Sequence, residues 1–366
     1  MDFEKLKQPF LSDTEKSYHE CLKEKLKLYV EFLKNSDFKK ILNENDLDSI
    51  DNVSKNIMKS IYEYLKGKSG ESYKIINDTL KKEYSDWENN TYRLDEKKFL
   101  IRIRPSITNL HNRKELFHIP FTKRHLVAKQ RYSIEGLPCL YLSATSYTAW
   151  LELNKPSFNE LWASGFKSKV EIPILDLSYT ISKIDQDYKK NVTNKKQTID
   201  RLKIFPFILA TSFRVKYPTD SFHEEYIISG NLLQWIVNNT SFMGIRFLST
   251  KLESYDDNTH LWSSSNFVIP PRDYKVGEVH DKYLSNSFIM TKPQNWSVLV
   301  AYSNAGEVEA YSTNGKFEES TKEIGTNETN NALSIDELIF KKYTYTDFYN
   351  VDGYLKSLFK LDSIEK

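Results

Sequence analysis

Arg131-Tyr-Ser-Ile-Glu-Gly-Leu-Pro-Cys-Leu-Tyr141-Leu-Ser is the stretch on which the reading of this chain turns. Gly136 and Pro138 mark a turn, the run Leu137 to Leu142 beside them is apolar and β-rich, and a helical pattern near 146 to 153 comes next, carrying Trp150-Leu-Glu152-Leu. Turn, strand and helix thus succeed one another within about two dozen residues, and three side chains able to do chemistry, Arg131, Tyr141 and Glu152, are spread over them.

The same texture extends outward. Phe99 to Ile103, Val170 to Leu175, Tyr226 to Ile228, Gly244 to Phe247 and Phe267 to Ile269 read as further short strands, with helical stretches near 197 to 203 and 230 to 238. Such irregular mixing predicts an α+β fold with a mixed sheet rather than a repetitive βαβ array. Upstream the pattern is helical. Ser12 and Glu15 have capping-box spacing, and Leu22, Leu26, Tyr29, Val30 and Leu33 predict a helix over 13 to 34. Ile50, Val53, Ile57, Ile61 and Tyr64 form a second stripe running into Gly67 and Gly70, and a third helix is expected over 72 to 86. These helices can pack on one another or on the core downstream of them, and nothing in them has catalytic spacing. Towards the carboxyl end, Ser297 to Tyr302 reads as a strand, and 313 to 332 as a polar loop. The expected organisation is a helical region, 1–95, structural or regulatory; a core, 96–275; and an extension, 276–366.

Composition narrows the function. A net charge of +2 supplies no bulk attraction for nucleic acid or an anionic membrane, so any anion site must be local. With 23 Tyr and 21 Phe, much of the buried area should come from rings, and buried phenols will need partners. Cys21 and Cys139, far apart, fit a reduced compartment, and neither a leader nor an apolar run of about 20 residues is seen, so a cytoplasmic location without membrane insertion is expected. His118 and Cys139 lack metal-ligand spacing, and His223-Glu224-Glu225 lacks the second histidine of a zinc helix, so no metal is expected. No glycine-rich phosphate loop is present.

Arg102-Ile-Arg104, Phe117-His-Ile-Pro-Phe121, the quoted block and Glu152 together resemble the RES family of bacterial proteins, named for an arginine, a glutamate and a serine. The family shows an Arg on an early strand, a Gly-Arg-Trp-Asn-like segment, a proline turn into a strand ending in Tyr-Leu, and a helix bearing Glu. Here Arg102, Arg131-Tyr132-Ser133, Tyr141-Leu142 and Glu152 take those places, and Ser249, after Gly244-Ile-Arg-Phe-Leu, is the serine. Tyr132-Ser133 departs from Trp-Asn, and Arg104 competes with Arg102 as the first arginine, since alternate strand residues share a face. The resemblance covers roughly 98 to 275. It implies an ADP-ribosyltransferase-like core that takes NAD as substrate and cleaves its nicotinamide–ribose bond by hydrolysis, phosphorolysis or ADP-ribosyl transfer. It further implies a toxin, with an antitoxin protein or a protein acceptor of ADP-ribose as partners; assembly into oligomers is left open.

The residue types suit that chemistry. Two arginines can meet a pyrophosphate with forked donors, and a carboxylate beside the ribose lowers the barrier to an oxocarbenium-like state. Within the family reading, Tyr141 offers a face to the nicotinamide ring and Ser249 a hydroxyl near the carboxamide or a phosphate. Taken singly, Tyr141 is a core residue of an apolar strand, Glu152 a solvated helix residue, Arg131 half of an ion pair and Ser249 a turn residue; only their joint order raises them. Two other classes remain as alternatives: a non-catalytic nucleotide- or protein-binding module, and a single-stranded nucleic-acid binder using the mingled aromatic and basic residues of Tyr84 to Arg104 and Arg113 to Tyr132, against which the near-neutral charge speaks.

Overall fold

The computed structural model describes residues 3–84, 87–239, 241–252, 255, 261–302 and 343–361. The fold is α+β, built on one mixed nine-stranded sheet. In chain order the elements are α1 (Tyr18–Asn35), α2 (Glu44–Leu65), α3 (Ser69–Glu83), β1 (Thr91–Leu94), β2 (Phe99–Pro105), β3 (Leu140–Ser143), α4 (Ser146–Glu152), β4 (Leu161–Ser168), β5 (Ile172–Leu177), α5 (Ile181–Lys189), α6 (Lys195–Thr211), α7 (Ile227–Asn238), β6 (Gly244–Leu248), β7 (Ser265–Ile269), α8 (Lys282–Ser287), β8 (Phe288–Met290), β9 (Gln294–Asn295) and α9 (Asp347–Leu361). The strands lie in the order β1-β5-β6-β7-β3-β2-β4-β8, with β9 also on β4. β5 and β6 are parallel and are joined by the crossover through α5, α6 and α7; the other described pairs are antiparallel.

Two groups of helices cover different parts of the sheet. Leu22, Leu26 and Tyr29 of α1, Ile50, Val53 and Ile57 of α2 and Ile76 of α3 join Phe205, Ile208, Leu232 and Ile236 of α6 and α7 in one core, which reaches Leu175, Ile245 and Val268 of the sheet. The first three helices therefore pack both on one another and on the helices of the crossover, and β1 extends the sheet from residues ahead of 95. Ala149 of α4 and Val351 and Leu355 of α9 instead cover Ile101, Ile103, Leu161 and Ala163 on β2 and β4.

The join between α1–α3 and α6 has a specific cause. Pro206 lies inside α6 and has no N–H to give to the carbonyl four residues back. That carbonyl, of Leu202, accepts from the Tyr29 hydroxyl at 2.8 Å. Lys203 O accepts from Tyr84 at 2.7 Å and Ala210 O from Tyr18 at 2.6 Å. Buried phenols thus find partners on a helix whose own ladder a proline interrupts. A second polar link runs inside the core, where Asn231 of α7 donates to Ser72 at 2.9 Å and to Ser60 at 3.2 Å.

Four expectations need correction. Helix α1 begins at Tyr18, not 13, and Glu20 accepts from the backbone N–H of Ser17 at 2.8 Å. Ser12 and Glu15 do not form a capping box: Glu15 N–H meets Asp13 Oδ1 at 3.0 Å, the Ser12 hydroxyl has no partner among the described residues, and Lys216 donates to the carbonyls of Thr14 and Lys16. Tyr226 to Ile228 is not a strand: Ile227 and Ile228 begin α7, where Leu232, Leu233 and Ile236 continue a helix that is apolar on several sides because it is buried. Residues 296–302 are helical rather than a strand, since Trp296, Leu299 and Val300 recur at helical spacing and turn to the core over β2 and β4. The sequence also left 161–168 unassigned, although β4 is central to its half of the sheet. The polar loop expected at 313 to 332 lies outside the described residues.

Candidate functional site

Between the two helical covers, β2 and β3 are held together by little. Their ladder has one registered pair, Ile101 with Ser143, after which the strands part. The Tyr141 carbonyl is consequently free of a ladder partner on that side and accepts from Arg102 Nη1 at 2.9 Å. A cleft of about 570 Å³ opens here. Arg102, Arg131, Tyr141 and Glu152, four residues from four separate segments, all line it.

Each is fixed from the chain upward. Arg131 precedes a turn in which Tyr132 adopts φ +56°, a left-handed conformation uncommon for a bulky residue. Tyr132 is fully buried, its ring 4.6 Å from that of Phe247, and its carbonyl accepts from the Tyr141 hydroxyl at 2.9 Å. That anchorage presents Arg131 to the end of α6, where its guanidinium donates to Thr211 O at 2.7 Å and Phe213 O at 2.5 Å and lies over the Tyr226 ring at 5.2 Å. Phe213 is itself pinned by the segment ahead of α1. Phe10 pairs beside it through Phe10 N–H to Ser212 O at 3.0 Å and Arg214 N–H to Phe10 O at 2.9 Å, and the Tyr18 ring meets it edge-on at 5.2 Å.

Glu152 ends α4 with an exposed side chain, one oxygen of which accepts from Asn266 Nδ2 at 2.7 Å. Asn266 Oδ1 accepts in turn from Ser143 Oγ at 2.6 Å, its neighbour across the β3–β7 ladder. The carboxylate is therefore aimed by the sheet while its other oxygen stays available.

The charge balance of the cleft is one-sided. Among the described residues Arg102, Lys129, Arg131, Arg214 and Lys251 line it against one acid, Glu152. Among the described residues none of the three arginines is ion-paired with a carboxylate. Arg131 and Arg102 hold backbone carbonyls, and so does Arg214, through Thr250 O at 3.0 Å and Leu252 O. Carbonyls orient a guanidinium without cancelling its charge. Outside the cleft both patterns occur: Arg93, Arg201 and Arg246 are matched to Glu88, Asp187 and Asp176, whereas Arg104, Arg124 and Arg272 hold backbone carbonyls. Burial, and then the like charge of Arg104, pushes Arg102 down to about 10, so it remains cationic at neutral pH. Its Nε is buried with no partner among the described residues.

Two candidates fall outside the wall. Arg104 is exposed and donates to Glu115 O at 2.8 Å, so the structure separates it from Arg102, with which it shares a strand. Ser249 is fully buried; its hydroxyl accepts from Lys251 N–H at 3.3 Å and its carbonyl from the Tyr255 hydroxyl, an arrangement that shapes the turn after β6. Sequence reading missed Asn266, whose only signal is a polar residue interrupting an apolar strand, and Arg214, Thr250 and Lys251, which carry no motif.

Among the described residues no three His, Cys, Asp or Glu side chains gather into a metal-holding group. His118 is buried, accepts from Asp281 N–H at 2.9 Å and is pushed down to about 4 by burial. Cys139 is also buried, and its thiol is pushed up to about 12.

No protein-family model matches the chain, and no solved structure does. No helix of the described residues is long and apolar enough to cross a membrane. Over 298 residues the chain is 30% identical to a protein of Bacillus subtilis (strain 168) named "Putative toxin YopC", a match that covers 76% of this chain and 66% of that protein, just under two thirds of its length.

Proposed function

We propose that the cleft binds NAD and cleaves its nicotinamide–ribose bond, and that this activity makes the protein a toxin. The observation that carries the reading is the gathering of Arg102, Arg131, Tyr141 and Glu152 in one cleft whose cations have no carboxylate partners among the described residues. The relationship to a protein named as a toxin agrees with the second half of it. A pyrophosphate supplies the negative charge that the guanidiniums lack, and forked N–H donors suit its oxygens. Glu152, held by Asn266 on one oxygen, stands ready to stabilise positive charge that grows on the ribose as nicotinamide leaves. At about 4 Å and an effective dielectric near 20, one such charge pair is worth up to roughly 4 kcal/mol, or about a thousandfold in rate. The acceptor of the ADP-ribose is water, phosphate or a protein.

The purified chain incubated with NAD should release nicotinamide, read by liquid chromatography, and Glu152→Ala should lower the rate by about a thousandfold while leaving the thermal midpoint unchanged. Cells expressing the wild type should lose NAD and stop growing, and cells expressing Glu152→Ala should do neither. Intact NAD after prolonged incubation with folded protein removes the catalytic reading. The same five-cation lining favours a nucleotide-binding module as the second reading, and saturable NAD binding without turnover would select it.

A further inference from the structure

Between α1 and α2 lies a groove of about 690 Å³ that shares no lining residue with the cleft. Its floor is apolar: Leu26 and Val30 from α1, one turn apart, face Met58 and Tyr62 from α2, also one turn apart. Leu26 is buried, Val30 and Met58 are half-buried, and Tyr62 is 43% exposed. The rim is basic on both walls, with Lys23, Lys27 and Lys34 along α1 and Lys55 and Lys59 along α2, followed by Lys66 just past its end. Three acids also stand on the rim, and each is engaged by a rim lysine: Glu31 by Lys27 at 3.9 Å, Asp51 by Lys55 at 2.6 Å and Glu63 by Lys66 at 2.8 Å. Lys23, Lys34 and Lys59 have no ion pair among the described residues, so two unmatched cations lie on one wall and one on the other.

We infer that this groove is a docking surface for an acidic amphipathic helix of a partner protein, which lays its apolar face on Leu26, Val30, Met58 and Tyr62 and its carboxylates against the lysines of both walls. The geometry favours a helix. The groove runs between two helices, so a third completes a three-helix arrangement, and anchors one turn apart on each wall match the i, i+3, i+4, i+7 spacing of an apolar helical stripe. From Lys23 to Lys34 the wall is about 16 Å long at 1.5 Å per residue, room for roughly three turns. The charge pattern sets the partner's sign, since acidic residues on both flanks would meet unmatched cations on both walls, whereas a basic helix would meet them with repulsion. Such docking is independent of what the cleft does.

The test uses the full chain and a designed 18-residue peptide with leucines at helical spacing flanked by glutamates. Fluorescence anisotropy should show saturable binding at least tenfold tighter than for a scrambled peptide of the same composition, weakening as salt is raised. Replacing Lys23, Lys34 and Lys59 together by Glu, all at exposed positions where folding tolerates the change, should weaken it at least tenfold, and Met58→Glu should do the same. Equal binding of designed and scrambled peptides would overturn the proposal, as would affinity that survives charge reversal. Binding to anionic phosphatidylserine vesicles in preference to the peptide would also overturn it, by assigning the groove to a membrane surface.

Discussion

Two regions of this molecule satisfy backbone carbonyls with side-chain donors, and they do so to different ends. On α6 the donors are the phenols of Tyr18, Tyr29 and Tyr84, neutral groups that meet the carbonyls of Ala210, Leu202 and Lys203. Nothing is left over, and the result is a rigid joint between the first three helices and the sheet. In the cleft the donors are the guanidiniums of Arg102, Arg131 and Arg214, and the acceptors are again mainly carbonyls. Here the hydrogen bonds are satisfied but the charge is not, because a dipole does not neutralise an ion. The contrast teaches that the partner of a buried arginine matters as much as its burial: a carboxylate consumes its charge, whereas a carbonyl aims it. The two regions also meet, since Tyr18 and Phe10 pin Phe213, whose carbonyl holds Arg131.

Changes that separate aiming from rigidity sharpen this contrast. The largest effect after loss of the carboxylate itself should come from Asn266→Ala, which leaves Glu152 in place but unaimed. Turnover should fall roughly ten- to a hundredfold with little change in KM, because orientation acts on the chemical step. An equal fall in affinity would move Asn266 from aiming the carboxylate to holding the ligand. Next is Tyr29→Phe, which strips the Leu202 carbonyl of its donor while keeping the ring. It should cost about 1–2 kcal/mol in chemical denaturation and leave NAD turnover unchanged. A loss of activity without a loss of stability would break the distinction between the two regions.

The smallest effect is a slope with pH. Asp352 on α9 accepts from the backbone N–H of Ser146 at 3.2 Å, at the start of the helix that ends in Glu152, and from the Tyr343 hydroxyl at 2.5 Å. Burial raises its carboxyl to about 7, opposed by these hydrogen bonds. A carboxyl raised in the folded state binds its proton more tightly there than in the unfolded chain. Its contribution to stability is therefore full below about pH 4 and is lost as pH rises through about 7. Asp352→Asn should flatten the thermal midpoint between those values, and an unaltered slope would show that Asp352 does not set it.

Much of the candidate site was legible because its residues are tied to local patterns. Arg102 sits on a strand, Tyr141 on another, Arg131 before a turn and Glu152 on a short helix, and each pattern could be read without knowing what the others touch. What could not be read is long-range. Ser12 has the spacing of a cap, but the carbonyls of Thr14 and Lys16 meet Lys216, some 200 residues on. Ser249 is a plausible hydroxyl by order, yet the turn after β6 buries it. Arg102 and Arg104 are equivalent by strand parity, and they are separated by what each meets, the Tyr141 carbonyl for one and the Glu115 carbonyl for the other. Asn266 gains its role from Glu152, 114 residues away. Pro206 inside α6 reads as a helix breaker until the phenol that replaces the missing donor is seen.

The proposed function requires the carbonyl-held guanidiniums to keep their charge for a phosphate. Calorimetric titration of NAD into a Glu152→Gln background, in which turnover is suppressed, tests that most directly when Arg102→Met is compared with Arg93→Met. Arg93 is already matched by Glu88 and Glu171, at 2.8 Å and 2.7 Å, and lies outside the cleft. Saturable binding should weaken at least tenfold without Arg102, become less sensitive to salt, and stay unchanged without Arg93. Equal affinity in all three proteins, or no binding in any of them, would contradict the role assigned to these arginines.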